Sequence, residues 1–262
     1  MTVSFVGFGN MGQQIARGLI ASGAVSARDV AFWEPNAAKG RQKAEQWGAT
    51  YAASNADAAS RGDFCFLCVK PRLIEGACGE IGAALKKNAI VVSVAAGVSL
   101  AMLRSWLPEG TRCAQCMPNL PIGVRKGAVC FELSPQSDEE TLARVENLLA
   151  GCALTLRLPH ELMAAAGAIA GCGPAFVSVL IEAMADAGVK HGLKRADAYA
   201  LSRSVFEGAA RLMAETGKIP AAIKDEVCSP GGTTIRGVMA MESAGARAAI
   251  QAAVEASLGA KP

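Results

Sequence analysis

Runs of apolar and β-branched residues alternate with amphipathic stretches from the N-terminus to residue 157. Residues 3–7 read as a strand and 11–22 as a helix; 29–33 and 36–47 repeat the pair. Ser54-Asn55-Ala56-Asp57 has the form of a capping box and opens a short helix. A strand at 63–69, a helix between Pro71 and Leu85, and a continuous apolar strand at 89–94 follow. Ser99 caps a helix over 100–106, and 112–117 and 124–133 are extended. Ser137-Asp138-Glu139-Glu140 starts a helix running to Leu149, and a strand at 153–156 closes the series. Continuous apolar strands separated by helices belong to a parallel sheet covered on both faces. The expected class is α/β, with an N-terminal Rossmann-type doubly wound sheet.

Beyond Pro159 the pattern changes. Residues 161–258 carry alanine-rich helical periodicity, cut at Gly173-Pro174, Gly188, Gly192, Gly217, Pro220 and Ser229-Pro230-Gly231-Gly232. The expected division is a dinucleotide-binding domain over 1–158 and an all-helical domain over 159–262. Helices this rich in small residues bury modest apolar surface alone, so packing between subunits is expected.

Composition narrows the function classes. The chain has 262 residues, 52% hydrophobic and 19% charged, with a net charge of +3 and no basic tract. Neither that charge nor the 5% aromatic content suggests a nucleic-acid surface. The N-terminus lacks a basic leader, and no uninterrupted apolar run of about 18 to 20 residues is expected, so neither a secretory signal nor a membrane span is read. Nine cysteines, an odd number, suit reduced thiols in a cytoplasm. Cys65/Cys68 and Cys113/Cys116 have metal-ligand spacing, yet residues three apart in a strand face opposite ways, so no metal site is expected.

Candidate chemistry begins at Gly7-Phe8-Gly9-Asn10-Met11-Gly12, which follows a strand and opens a helix. Gly7 suits a tight turn, Gly9 leaves room for a pyrophosphate, and Gly12 lets helix and strand pack closely. Free N–H groups at the helix start attract phosphate charge. Glu34 ends the second strand, where an acid accepts from ribose hydroxyls and favours NAD. Asn36, Lys39 and Arg41 follow it as donors to a 2′-phosphate if Glu34 turns away, Lys39 and Arg41 reading otherwise as a solvated helix face, so NAD and NADP both stay open. Asn55, Val69-Lys70-Pro71 and Ala95-Ala96-Gly97 lie at strand ends, where ligands of such sheets sit. Lys70 reads equally as a solvated strand-end lysine.

These residues are similar to one family, pyrroline-5-carboxylate reductase, which makes proline in the last step of its synthesis. The resemblance runs through Gly7–Gly12, Val69-Lys70-Pro71, Ser93-Val94-Ala95-Ala96-Gly97-Val98 and Cys116-Met117-Pro118-Asn119. It continues with Gly173-Pro174-Ala175-Phe176, Asp186-Ala187-Gly188-Val189, Lys224-Asp225 and Ser229-Pro230-Gly231-Gly232-Thr233-Thr234. It implies a Rossmann domain followed by a helical dimerisation domain, and NAD(P)H-dependent reduction of 1-pyrroline-5-carboxylate to L-proline. It also implies that Asn55, Lys70, Met117, Pro118 and Asn119 line the cofactor, and that residues 229–234 hold the substrate carboxylate. A homo-oligomer, a dimer or an assembly of dimers, is implied, with that loop facing a site completed by a neighbouring subunit. This chain reads Gly171-Cys172-Gly173 where the family commonly has serines.

The residues themselves support a small anionic substrate. Ser229, Gly231, Gly232, Thr233 and Thr234 precede a helical run, so free N–H groups and close backbone approach suit a carboxylate; an ordinary N-cap turn is the alternative. Thr234 is the candidate for bonding the imine nitrogen. Glu215 is a candidate for stabilising the cation or relaying a proton, or else a surface helix acid. His160 and His191 are read as structural. A 3-hydroxy-acid dehydrogenase would share the glycine turn, but 164–182 lacks the lysine such enzymes use. A reductase of another cyclic imine and an NADP-binding redox sensor are the remaining alternatives.

Overall fold

The computed structural model describes residues 1–259, which form two compact units, Met1–Gly171 and the chain from Cys172 on. The last three positions of the expected 159–262 domain lie outside the described residues.

The first unit winds β1 (Val3–Val6), α1 (Asn10–Ala21), β2 (Val30–Trp33), α2 (Ala37–Trp47), β3 (Thr50–Tyr51), α3 (Asn55–Arg61) and β4 (Phe64–Leu67). It continues with α4 (Ile74–Ile81), β5 (Ile90–Ser93), α5 (Leu100–Trp106), β6 (Arg112–Pro118), β7 (Gly127–Leu133), α6 (Glu139–Leu149), β8 (Ala153–Pro159) and α7 (Met163–Ala166). One sheet holds all eight strands in the order β3-β2-β1-β4-β5-β6-β7-β8. β1 to β6 pair in parallel, and the strand order reverses beside β1. That reversal is the switch point of a doubly wound sheet.

Alternate strand residues serve two cores. Phe5, Phe64, Phe66, Ile90, Val92 and Cys116 pack against α1 and α6. Val6, Cys65, Leu67, Val91 and Cys113 pack against α4 and α5. Cys113 and Cys116 therefore face opposite layers, as do Cys65 and Cys68. Burial pushes the Cys65 and Cys113 thiols up to about 11, so they pack as neutral apolar groups.

Two features depart from the expected alternation. β3 is only two residues long and carries no periodicity to read. β7 runs antiparallel to β6, because the connection is only a short 3-10 turn, Leu120–Val124, instead of a crossover helix. The capping signals lie where the sequence puts them: Ser54 Oγ accepts from Asp57 N at 3.0 Å, and Ser99 Oγ from Met102 N at 3.1 Å. At the third expected box, Asp138 is the N-cap of α6 and makes no side-chain cap bond.

The second unit is all helical: α8 (Gly173–Lys190), α9 (Arg195–Thr216), α10 (Pro220–Val227), α11 (Thr233–Ser243) and α12 (Ala246–Gly259). Its only fully buried residues among those described are Ala185, Ala198 and Ser202. The reading that no apolar run is long enough for a bilayer needs correction. Residues 163–181 carry no charge, and the helical stretch His160–Lys190 is long and apolar enough to cross a membrane. Charged residues break the other alanine-rich segments, but none falls between Glu161 and Glu182. Little of that stretch is buried within the chain.

Candidate functional site

The carboxyl ends of β1, β2, β4, β5 and β6 lie along one edge of the parallel sheet. Gly7, Glu34, Val69-Lys70-Pro71 and Ala96-Gly97 follow four of these ends, and Met117-Pro118-Asn119 ends β6 and continues past it. Topology alone brings these sequence-selected residues to the edge where ligands bind.

At the switch point, the three glycines differ in what surrounds them. Gly7 has φ +87, a backbone that L side chains rarely adopt, and a Cβ there would meet Val69 Cγ1 at 2.8 Å. A Cβ on Gly12 would lie 2.8 Å from Gly7 O, so α1 rests directly on the turn. On Gly9, the N-cap of α1, a Cβ would meet nothing within 4 Å. No side chain caps that helix start, which leaves its N–H groups for an anion. Asn10 is exposed and Met11 half-buried at the same turn. Phe8 is different: its ring is buried and stacked on Phe32 at 4.0 Å, so only its backbone faces outward chemistry.

Beside this turn lies an ion pair that the sequence reading missed. Lys43 Nζ pairs with the Glu34 carboxylate, which is only 8% exposed, and also donates to Phe8 O at 3.0 Å. Tyr51 donates its hydroxyl proton to Glu34 O at 3.1 Å. Asn36 caps α2, its Oδ1 accepting from Lys39 N at 3.0 Å, while the Lys39 and Arg41 side chains are exposed. Lys43 stands on α2 beyond the two cations that the sequence singled out. The only signal for it was a lysine two residues past Arg41, on the helix that follows Glu34.

Asn55 is the first residue of α3 and 6% exposed. Its Nδ2 donates to Glu80 Oε2 at 2.7 Å, and its Oδ1 is buried without a partner. Lys70 is exposed at the start of a 3-10 turn, and Ala96 and Gly97 are exposed after β5, with Gly97 at φ +77. Asn119 has both ends of its amide engaged: Nδ2 donates to Ala170 O at 3.0 Å, and Oδ1 accepts from Ala128 N at 2.8 Å. It therefore ties β7 to a π-helical turn, Gly167–Gly171. Met117 packs over the same turn, where a Cβ on Gly167 would meet its Sδ at 2.5 Å. An open glycine, an uncapped helix start and an orphaned buried amide oxygen together fit a dinucleotide.

In the second unit, Ser229–Gly232 forms a turn closed by Gly232 N donating to Ser229 O at 3.0 Å. Gly231 has φ +69, so the turn's backbone favours a glycine there, while a Cβ on Gly232 would press on Ser229 Oγ at 2.4 Å and Ser229 O at 3.1 Å. The argument for a ligand rests instead on α11, whose N-cap Gly232 makes no side-chain cap, with Thr233 and Thr234 exposed in its first turn. Glu215 is exposed near the end of α9 and paired with Arg211 at 2.7 Å. His191 is the C-cap of α8, and His160 Nδ1 lies 3.2 Å from the buried Glu132.

The family model described as "Pyrroline-5-carboxylate reductase dimerisation" matches residues 160–261, and one described as "NADP oxidoreductase coenzyme F420-dependent" matches 2–97. Pyrroline-5-carboxylate reductase 3 of Danio rerio is 36% identical over 97% of this chain and 88% of its own length. The chain belongs to the pyrroline-5-carboxylate reductase family. The reductase of Escherichia coli is 37% identical over 95% of this chain and 92% of its own. The Plasmodium falciparum pyrroline carboxylate reductase structure with NADP bound superposes with a TM-score of 0.85 at 25% identity, covering 98% of this chain and 95% of that one. The α/β fold with a helical C-terminal unit is thus that of the reductase family.

Proposed function

We propose that this protein reduces 1-pyrroline-5-carboxylate to L-proline with NADPH, NADH being the lesser donor. The observation that carries the proposal is its likeness to reductases of that name over nearly the whole chain. Bound NADPH supplies the hydride. Gly9 and the first N–H groups of α1 receive the pyrophosphate, and Asn55 faces the ribose side of the sheet edge. Val69-Lys70-Pro71, Ala96-Gly97 and Met117-Pro118-Asn119 border the same cofactor. Lys43 neutralises Glu34, which lowers the repulsion that a 2′-phosphate would meet there.

The α11 N–H groups and Ser229–Thr234 receive the substrate carboxylate. Thr234 Oγ1 accepts from the protonated ring nitrogen, aligning the C=N carbon for attack; positioning supplies most of the effect. Glu215, ion-paired with Arg211, ranks after Thr234 as a group that stabilises the cation or relays a proton. We place the functional division at 158/159, one residue before β8 ends. The apolar stretch from His160 to Lys190 is assigned to contact with a second copy, in a homodimer or an assembly of dimers. Nine free cysteines suit a cytoplasmic enzyme.

The test is NAD(P)H oxidation by the purified protein with a panel of cyclic imines and both cofactors. Turnover fastest with 1-pyrroline-5-carboxylate supports the proposal. Faster turnover of a six-membered imine, or none with any imine, overturns it.

A further inference from the structure

The buried, unpartnered Asn55 Oδ1 has an explanation in a residue outside the cofactor edge. The two ends of an asparagine amide are nearly the same shape, and rotation about the last torsion is broad, so partners decide which end points where. Backbone position is already settled here. Ser54 Oγ accepts from Asp57 N, and Asp57 Oδ2 accepts from Ala53 N at 2.8 Å, which fixes the first turn of α3 from both sides. What remains free is the amide flip. Glu80, on the exposed face of α4, accepts from Asn55 Nδ2 at 2.7 Å. A carboxylate only accepts, so the NH2 end must face it and Oδ1 must take the opposite direction.

We infer that Glu80 is a positioning residue for the dinucleotide: it locks the Asn55 amide so that Oδ1 is presented as an acceptor for a ribose hydroxyl. The inference rests on the cofactor assignment of the proposed function. Without Glu80 the amide turns to either orientation, and half of its orientations offer a donor where an acceptor is needed. Oδ1 has no partner within the chain, so a hydroxyl that donates to it offsets a desolvation cost the free protein already carries.

NADPH titration by fluorescence, with steady-state kinetics and thermal unfolding on the full chain, tests this with Asn55→Ala, Glu80→Ala, Glu80→Gln and the double Asn55→Ala/Glu80→Ala. Glu80→Ala is expected to raise the NADPH Kd about fivefold, one hydrogen bond's worth, with kcat at saturating NADPH unchanged. Glu80→Gln keeps the length and one acceptor but admits both flips, so its Kd falls between. The double variant should bind no more weakly than Asn55→Ala, because Glu80 acts through Asn55. A merely structural role would lower the unfolding temperature and leave the two effects multiplicative. Multiplicative losses, or an unchanged Kd in Glu80→Ala beside a raised one in Asn55→Ala, overturn the inference while leaving the reductase proposal intact. Failure of the unaltered protein to bind NADPH overturns both.

Discussion

The sheet unit and the helical unit solve the problem of burial differently. In the first, both faces of β1, β2, β4 and β5 are covered by the chain's own helices and Phe5, Phe8, Phe32, Phe66 and Phe131 are wholly enclosed, while Leu154 and Leu156 on the edge strand β8 stay exposed. In the second, Val179, Leu180, Met184, Leu201, Val205, Met239 and Met241 stand exposed, and almost nothing is buried. Exposed apolar faces of that extent mark a surface made for association. The family model that matches the second unit is described as a dimerisation domain, and under the proposed homodimer a second copy covers these exposed faces.

The strongest way to break this contrast is to charge the helical faces. Val179→Glu with Val205→Glu should cost the assembly about 3 to 5 kcal/mol, as unpaired buried charges do, and give a monomer by light scattering with little activity. Retained assembly and turnover would refute the interface. Within the first unit, Gly9→Val and Gly12→Val separate ligand space from packing. Gly12→Val should lose about 3 kcal/mol of stability by overpacking against Gly7 O. Gly9→Val should keep its unfolding temperature and lose NADPH binding on calorimetric titration; normal titration would remove the pyrophosphate from that turn.

Thr234→Ala probes the second unit's chemistry. Losing a bond to a charged nitrogen should lower kcat roughly 10- to 100-fold, with NADPH affinity nearly unchanged. Equal losses in both would show that Thr234 serves the fold instead. Least in size is Lys43→Met, which leaves Glu34 buried and unpaired. The ratio of kcat/KM for NADPH over NADH should fall roughly fivefold, about 1 kcal/mol. An unchanged ratio would detach Lys43 from cofactor choice.

Much of the edge that collects these residues was readable in advance. Continuous apolar runs and capping residues placed all but the shortest strand, because local periodicity is set by which faces must be covered. β3 escaped because two residues carry no period, and β7 reversed direction because the β6–β7 connection is too short to cross over. The apolar run at 163–181 escaped because charges interrupt the alanine-rich segments around it, and it alone has none. Among site residues, Asn55 and Asn119 were both picked from sequence as cofactor neighbours. Only coordinates reveal that Asn119 has both amide ends bonded to the protein while Asn55 keeps one free.

By itself the sequence determined the alternation of strands and helices, the glycine turn on α1, the alanine-rich helical region after Pro159 and the reductase motifs. Each depends on residues adjacent in the chain or repeating at a fixed period. Tertiary structure alone decided that Lys43 clasps Glu34, that Phe8 turns inward, and that Glu80 meets Asn55 across 25 positions. Those contacts join separate elements, and their geometry exists only once the sheet and its helices have packed.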